Sequence, residues 1–161
     1  MVGQAVGYAA TALGYLAIAG GQSVLVREIA EACDIPAAYL AKIVNSLRRL
    51  GLVDTQRGVG GGVTLARPPE QITLLELCRA MGDPIVETRC MLGTAECSDA
   101  RGCPAHAFWA EHRRRALDFL GTTTVADFAA FEARRRLDPS ACPRFGTAMP
   151  PVPGQDLGHA V

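Results

Sequence analysis

Residues 52–65 read LVDTQRGVGGGVTL, two short apolar runs separated by a glycine-rich segment. The apolar runs, Leu52-Val53 and Val63-Thr64-Leu65, predict two β-strands, and the glycines between them allow the tight turn that a hairpin needs. A tip without Cβ atoms can also approach a phosphate backbone closely. The stretch therefore predicts a β-hairpin that suits contact with a nucleic acid.

Three helices are predicted before this hairpin. The first covers the alanine-rich segment Ala5–Ala19, the second covers Val24–Cys33, and the third follows Pro36, which suits the first turn of a helix. In the third helix an apolar stripe at helical spacing is formed by Leu40, Ile43, Val44 and Leu47. Three helices followed by a hairpin predict a mainly α protein with a small β-hairpin wing, that is, a winged helix-turn-helix.

The apolar opening of the chain predicts a buried helix and not a targeting or membrane segment. It lacks the basic residues with which a signal peptide starts, and it is too short and too rich in Ala and Gly to span a bilayer. We therefore expect a cytoplasmic protein that does not bind a membrane.

Charge indicates where a nucleic acid would bind. The chain carries 16 Lys and Arg against 16 Asp and Glu, yet between Pro36 and Arg67 five cations accompany the single carboxylate of Asp54. A recognition helix places its N-terminal exposed residues against base edges in the major groove, while cations farther along contact phosphates. The predicted contacts to a double-stranded DNA operator are base readers Ala38, Tyr39, Lys42 and Asn45, phosphate contacts Arg48 and Arg49, and wing residues Arg57, Gly58 and Gly60. A solvated helix face is the alternative.

Four metal-ligating side chains lie within seventeen residues, in the stretch Cys90-MLGTAE-Cys97-SDARG-Cys103-PA-His106. Three thiolates and an imidazole suit an iron-sulfur cluster or zinc, and bare thiols or a redox disulfide are the other interpretation. Cys103 is expected at the N-cap of a helix opened by Pro104, where the helix dipole favours a thiolate, with His106 on the same face. The remaining cysteines before this stretch, Cys33 and Cys78, are expected in the core.

The helix opened by Pro104 is amphipathic and needs a partner for its apolar stripe. We expect that partner to be the same helix of a second copy, which gives a homodimer. The predicted interface residues are Phe108, Trp109, His112, Ala116, Phe119 and Leu120. The predicted organisation is a winged helix-turn-helix DNA-binding domain over residues 1–83, a cysteine-rich cluster-binding loop over 84–103, dimerisation helices over 104–137 and a Pro-rich disordered tail over 138–161.

The sequence does not predict an enzyme. It shows no Ser-His-Asp order and no paired carboxylates. The glycine run at the hairpin lacks the lysine and the following helix that a phosphate-binding loop requires.

Taken together, the motifs resemble the Rrf2 family of bacterial winged-helix regulators. The matching pieces are Tyr8-Ala9, Ile29-Ala30, Tyr39-Leu40, Gly51-Leu52-Val53 and above all Arg57-Gly58-Val59-Gly60-Gly61-Gly62. The stretch from Cys103 to Trp109 is most similar to the iron-sulfur branch of that family. This resemblance implies that Cys90, Cys97 and Cys103 are cluster thiolates and that His106 is the fourth ligand of a 2Fe-2S cluster, with a 4Fe-4S cluster as the alternative.

The resemblance also implies a function. We expect a homodimeric transcription regulator, usually a repressor, that senses redox state, nitric oxide or iron-sulfur supply through its cluster. The alternative is a winged-helix DNA-binding protein that holds structural zinc and does not respond to redox state.

Overall fold

The computed structural model describes residues 2–58, 60–93 and 96–137 of the chain. These residues form six α-helices and one antiparallel pair of strands. The elements in chain order are α1 (Gln4–Ile18), α2 (Val26–Cys33), α3 (Ala37–Arg49), β1 (Val53–Gln56), β2 (Gly62–Leu65), α4 (Leu74–Ala80), α5 (His106–Thr122) and α6 (Val125–Leu137), with short 3-10 helices at Pro69–Gln71, Pro84–Val86 and Asp99–Arg101. The predicted tail, with Cys142 and His159, lies outside the described residues.

This architecture confirms the predicted fold class, mainly α with a β-hairpin wing. Helix α2 begins two residues later than predicted because Val24 is taken up by the wing. The Val24 N–H donates to the Val63 carbonyl at 3.1 Å, and the Val63 N–H donates to the Val24 carbonyl at 2.8 Å. Val24, two residues before α2, therefore forms an antiparallel bridge with the hairpin and fixes the wing to the helices.

The core lies where α1, α2 and α3 meet. The predicted stripe of α3 is buried along its whole length, from Leu40 to Leu47, and Leu13 of α1 and Ile29 of α2 are fully buried against it. Because the apolar side chains lie on one side of each helix and are buried together, the polar side of each helix faces solvent. For α3, that outward face is the one predicted to read DNA.

Cys78 and Cys33 are core residues, as predicted. Cys78 is fully buried, and burial together with the nearby charge of Asp83 raises the pKa of its thiol to about 11. Cys33 is half-buried and packs against the core. Burial and a raised pKa both disfavour the thiolate form that a metal ion requires, so Cys78 acts as a small apolar group.

Helix α6 packs along α1 and belongs to the same core. A Cβ on Gly14 of α1 would lie 3.3 Å from the Phe128 ring, and Val125 is fully buried. The N–H of Val125 donates to the Ile72 carbonyl at 2.8 Å, which fixes the start of α6 beside α4. Of the two helices in the predicted dimerisation region, α6 therefore completes the core that residues 1–83 begin.

The wing depends on glycine because its backbone packs closely. In the strand register Gln56 faces Gly62. A Cβ on Gly62 would lie 2.6 Å from the Ser23 hydroxyl oxygen and 2.7 Å from the Val24 carbonyl oxygen, and a Cβ on Gly61 would overlap the Gln56 carbonyl. These contacts are too short for any side chain, so the packing of the wing requires glycine at positions 61 and 62.

We predict that Gly62→Ala lowers the free energy of unfolding by about 1 to 3 kcal/mol, because the added methyl group forces the wing away from Val24. Urea denaturation followed by circular dichroism measures the change. Gly7→Ala is the matched control, since the Cβ of an alanine at this exposed helical position would meet nothing within 4 Å. A Gly62→Ala protein as stable as the parent would contradict this account of the wing.

Candidate metal centre and nucleic-acid interface

All four predicted metal ligands surround one cavity. Its volume is about 510 Å³, and its lining includes Cys90, Cys97, Cys103 and His106. The donor atoms lie in two pairs: the sulfurs of Cys90 and Cys103 are 4.0 Å apart, and the Cys97 sulfur lies 3.2 Å from Nδ1 of His106. Two donor pairs therefore face one space.

Backbone hydrogen bonds fold the cysteine-rich segment into this arrangement. The Cys97 N–H donates to the Thr88 carbonyl at 2.7 Å, so the chain returns on itself between the first two cysteines. The indole N–H of Trp109 on α5 donates to the Arg89 carbonyl at 2.9 Å. Thr88 and Arg89, just before the first cysteine, are thus hydrogen-bonded to Cys97 and to α5.

The predicted placement of Cys103 at a helix N-cap was wrong. The N-cap is Ala105, and α5 begins at His106. Pro104 and Ala105 instead form a turn, which is closed by a 3.0 Å hydrogen bond from the His106 N–H to the Cys103 carbonyl. Cys103 and His106 therefore do not share a helix face, and the turn between them brings them to the same cavity.

The distances between the donor atoms fit two pairs of ligands, each of which could bind one metal ion. Two thiolates on one tetrahedral ion, each about 2.3 Å from it, are about 3.8 Å apart, and a thiolate and an imidazole nitrogen are about 3.5 Å apart. The 4.0 Å between Cys90 and Cys103 and the 3.2 Å between Cys97 and His106 are close to these values. Within the described ranges, no three such side chains converge on a single ion position.

Asp99 is a residue of this site that the sequence did not indicate. Its carboxylate oxygen Oδ1 lies 2.7 Å from Nε2 of His106, on the side of the ring away from Cys97. A carboxylate seven residues before a histidine has no diagnostic spacing, because the contact depends on how the loop folds. The structure therefore adds a partner to the imidazole.

The predicted DNA-contacting residues are all exposed. They lie on the outward face of α3 and on the wing, at Ala38, Tyr39, Lys42, Asn45, Arg48, Arg49, Arg57, Gly58 and Gly60. Tyr39 meets Tyr8 of α1 edge to face with ring centres 5.8 Å apart, and the amide of Gln4 lies 3.0 Å from the Tyr8 hydroxyl. Arg27 was not predicted, yet it lines a cleft between α2 and the wing together with Arg57. A basic residue in a short helix gave no separate signal.

Helix α5 presents part of its predicted apolar face to solvent. Phe108 is 66% exposed and Phe119 is 61% exposed, and the His112 ring stacks near Phe108 and Trp109 with centre distances of 6.0 and 5.5 Å. Trp109 and Ala116 are half-buried. Leu120 corrects the prediction: it is only 4% exposed and lies in the core of the chain itself, so it is not available to a second copy.

None of the helices in the described part of the chain is both long enough and apolar enough to cross a membrane.

Comparison with known proteins places the chain in a family. The family model described as Rrf2, iron-dependent transcriptional regulator, matches residues 2–130. The chain is 32% identical over 126 residues to the HTH-type transcriptional regulator IscR of Sodalis glossinidius, a match that covers 78% of this chain and 76% of that protein.

Solved structures show the same fold. CymR of Bacillus subtilis, described as its global cysteine regulator, superposes with a TM-score of 0.67 at 24% identity, over 81% of this chain and 97% of that one. IscR of T. potens superposes with a TM-score of 0.64 at 24% identity, over 86% and 90% of the two chains. The chain has three helices followed by a glycine-dependent wing, and it matches the family model over most of its length. The protein belongs to the Rrf2 family of winged-helix transcriptional regulators.

Proposed function

We propose that this protein is a transcription regulator, most simply a repressor, whose DNA affinity depends on a 2Fe-2S cluster held by Cys90, Cys97, Cys103 and His106. The observation that carries the proposal is the arrangement of these four donors as two pairs around one cavity. The signal would be redox state, nitric oxide or iron-sulfur supply, each of which acts on such a cluster.

The pairing of the donors favours two metal ions over one. A structural zinc ion needs all four ligands within about 2.0 to 2.3 Å of a single point, whereas each iron of a 2Fe-2S cluster takes two protein ligands. Cys90 and Cys103 form one pair and Cys97 and His106 form the other, with spacings near those of a shared tetrahedral ion. When bound, the cluster would supply one-electron redox chemistry.

Unneutralised charge supports DNA binding at α3 and the wing. On α5, Arg114 and Arg115 form ion pairs with Glu111, and their hydrogen bonds lower the pKa of this carboxyl to about 2. Within the described residues, by contrast, no carboxylate pairs with Lys42, Arg48, Arg49 or Arg57. A chain of zero net charge therefore still offers phosphates a basic surface.

A chain of contacts within one protomer connects the cysteine-rich segment to the recognition helix. The buried carboxylate of Asp83 accepts the Gly3 N–H at 2.6 Å and the Ile85 N–H at 2.9 Å. Gly3 is the N-cap of α1, and Tyr8 of α1 contacts Tyr39 of α3. A shift of the segment after Asp83 would therefore be transmitted through α1 to the DNA-reading surface.

The exposed face of α5 supports a homodimer. Phe108 and Phe119 are eleven residues apart, so they lie on the same side of the helix, three turns from one another. Two aromatic rings more than 60% exposed leave an apolar surface that a second copy can cover. Because α5 also holds the cysteine-rich segment through Trp109, the state of the site can change the spacing of two recognition helices.

We predict that anaerobically purified protein is coloured and contains two irons and two sulfides per chain. The visible absorption should disappear in Cys90→Ala, Cys97→Ala and Cys103→Ala, because each thiolate holds an iron. His106→Ala should shift the spectrum and speed cluster loss. Cys33→Ala is the matched control and should keep the parent spectrum. Colourless protein with one zinc per chain would contradict the cluster and favour a structural zinc site.

We predict that Arg57→Ala weakens binding to a selected operator by about 1 to 3 kcal/mol, since the side chain would enter a groove beside the wing. Asn45→Ala should relax the preference at one base position. Arg49→Ala should weaken binding to every sequence and reduce the salt slope by about one. Fluorescence anisotropy across a salt series measures all three.

Arg134→Ala, an exposed cation on α6, is the control for this DNA-binding test. If the three variants match it, the proposed surface is not the one that binds DNA.

We predict that the holo and cluster-free proteins differ at least tenfold in operator affinity, which needs only about 1.4 kcal/mol of coupling. Asp83→Asn should bring the ratio of these affinities toward one, because an amide nitrogen would replace an oxygen that accepts a backbone N–H. Asp54→Asn, an exposed carboxyl on β1, is its control. Equal affinities of the parent in every cluster state would show that the metal only stabilises the fold.

A further inference from the structure

We propose that Asp99 is a positioning residue that presents His106 to the cluster through Nδ1. The proposal rests on the cluster-dependent function proposed above and adds a residue and an atom to it. Asp99 reaches the ring from outside the cavity: its carboxylate is fully exposed, whereas the side chain of His106 is only 22% exposed.

Hydrogen-bonding chemistry decides which ring nitrogen faces the metal. An ionised carboxylate can only accept, so the 2.7 Å contact with Asp99 Oδ1 requires the proton of a neutral imidazole to be on Nε2. Nδ1 then carries the free lone pair, and this is the nitrogen 3.2 Å from the Cys97 sulfur. The Cys97 sulfur lies against this lone pair, at the place where a metal ion would bind both atoms.

The local fold explains why Asp99 can hold this position. It opens a short 3-10 helix, Asp99–Arg101, two residues after Cys97. The turn that follows ends in Gly102, whose φ of +57° suits glycine, and leads to Cys103. Asp99, which lies in the sequence between the proposed ligands Cys97 and Cys103, thus directs its carboxylate at the imidazole of His106.

A carboxylate on the outer nitrogen has two consequences for a bound metal. It fixes the orientation of the ring, and it makes the coordinating nitrogen a stronger electron donor. Loss of such a partner typically weakens metal retention about tenfold to a hundredfold. The added negative charge also stabilises the oxidised cluster, so removal of the carboxylate should raise the midpoint potential.

The first test needs no metal. In metal-free protein with ¹⁵N-labelled histidine, long-range ¹H–¹⁵N correlation reports which nitrogen of His106 carries the proton. A pH of about 7.5 is suitable, because an ordinary imidazole is then mostly neutral while an ordinary thiol is still mostly protonated. We expect the Nε2–H form almost alone in the parent, and a mixture in Asp99→Ala. A parent dominated by the Nδ1–H form would overturn the proposal.

The second test uses the holoprotein and histidine labelled with ¹⁵N at Nδ1 only. Pulsed electron paramagnetic resonance of the reduced cluster should show strong coupling to the labelled nitrogen. Asp99→Ala should lose its cluster to a chelator at least tenfold faster and have a higher midpoint potential, and Asp99→Glu should restore both in part.

Glu96→Gln is the matched control. Glu96 belongs to the same segment and lines the cavity, but its carboxylate contacts Thr88 and not His106. Equal changes in cluster loss and midpoint potential in Glu96→Gln and Asp99→Ala would show that the effect comes only from the loss of a nearby negative charge, and would overturn the proposal. Strong coupling to Nε2 in place of Nδ1 would also overturn it. A parent protein without any cluster would contradict the proposed function, while the metal-free measurement would still decide whether Asp99 orients His106.

Discussion

The buried carboxylate of Asp83 is the constraint that links the candidate metal centre to the candidate DNA-binding surface. A carboxylate that loses its water must be satisfied by donors, and here both oxygens accept backbone N–H groups, from Gly3 and from Ile85. Gly3 lies at the start of the first helix, and Ile85 lies at the beginning of the cysteine-rich segment. A single side chain thus joins parts of the chain that are 80 residues apart.

Helix α5 is the second element that links separate parts of the structure, because its two ends have different surroundings. Near its start, Trp109 holds the Arg89 carbonyl and Arg113 holds the Val86 carbonyl, so the cysteine-rich segment is attached along the first turns. Near its end, Leu120 enters the protomer core while Phe119 remains exposed. The same helix therefore connects the candidate metal centre, the core and the surface available to a second copy.

The helices and the wing could be predicted from the sequence because their signals are local. The stripe from Leu40 to Leu47 and the glycine run after Arg57 each specify one structure within a few residues. The errors arose where local rules compete with tertiary contacts. Cys103 is not an N-cap because a turn at Pro104 precedes the helix, and Leu120 is not at an interface because α4 and the core cover it. Asp99 was missed because its contact with His106 depends on how the loop folds, and Asp83 was missed because Gly3 is 80 residues away in the sequence.

A family fold alone does not determine what a regulator senses, because the same scaffold can carry different sites. In this chain the segment from Asp83 to His106 is held at both ends, by the Asp83 carboxylate on one side and by α5 on the other. A change in the spacing of its four donors would therefore act on the two elements that hold the segment, α1 and α5. Since α1 contacts Tyr39 and α5 carries the exposed Phe108, either displacement would reach one of the two surfaces proposed to govern DNA binding, the outward face of α3 or the dimer interface.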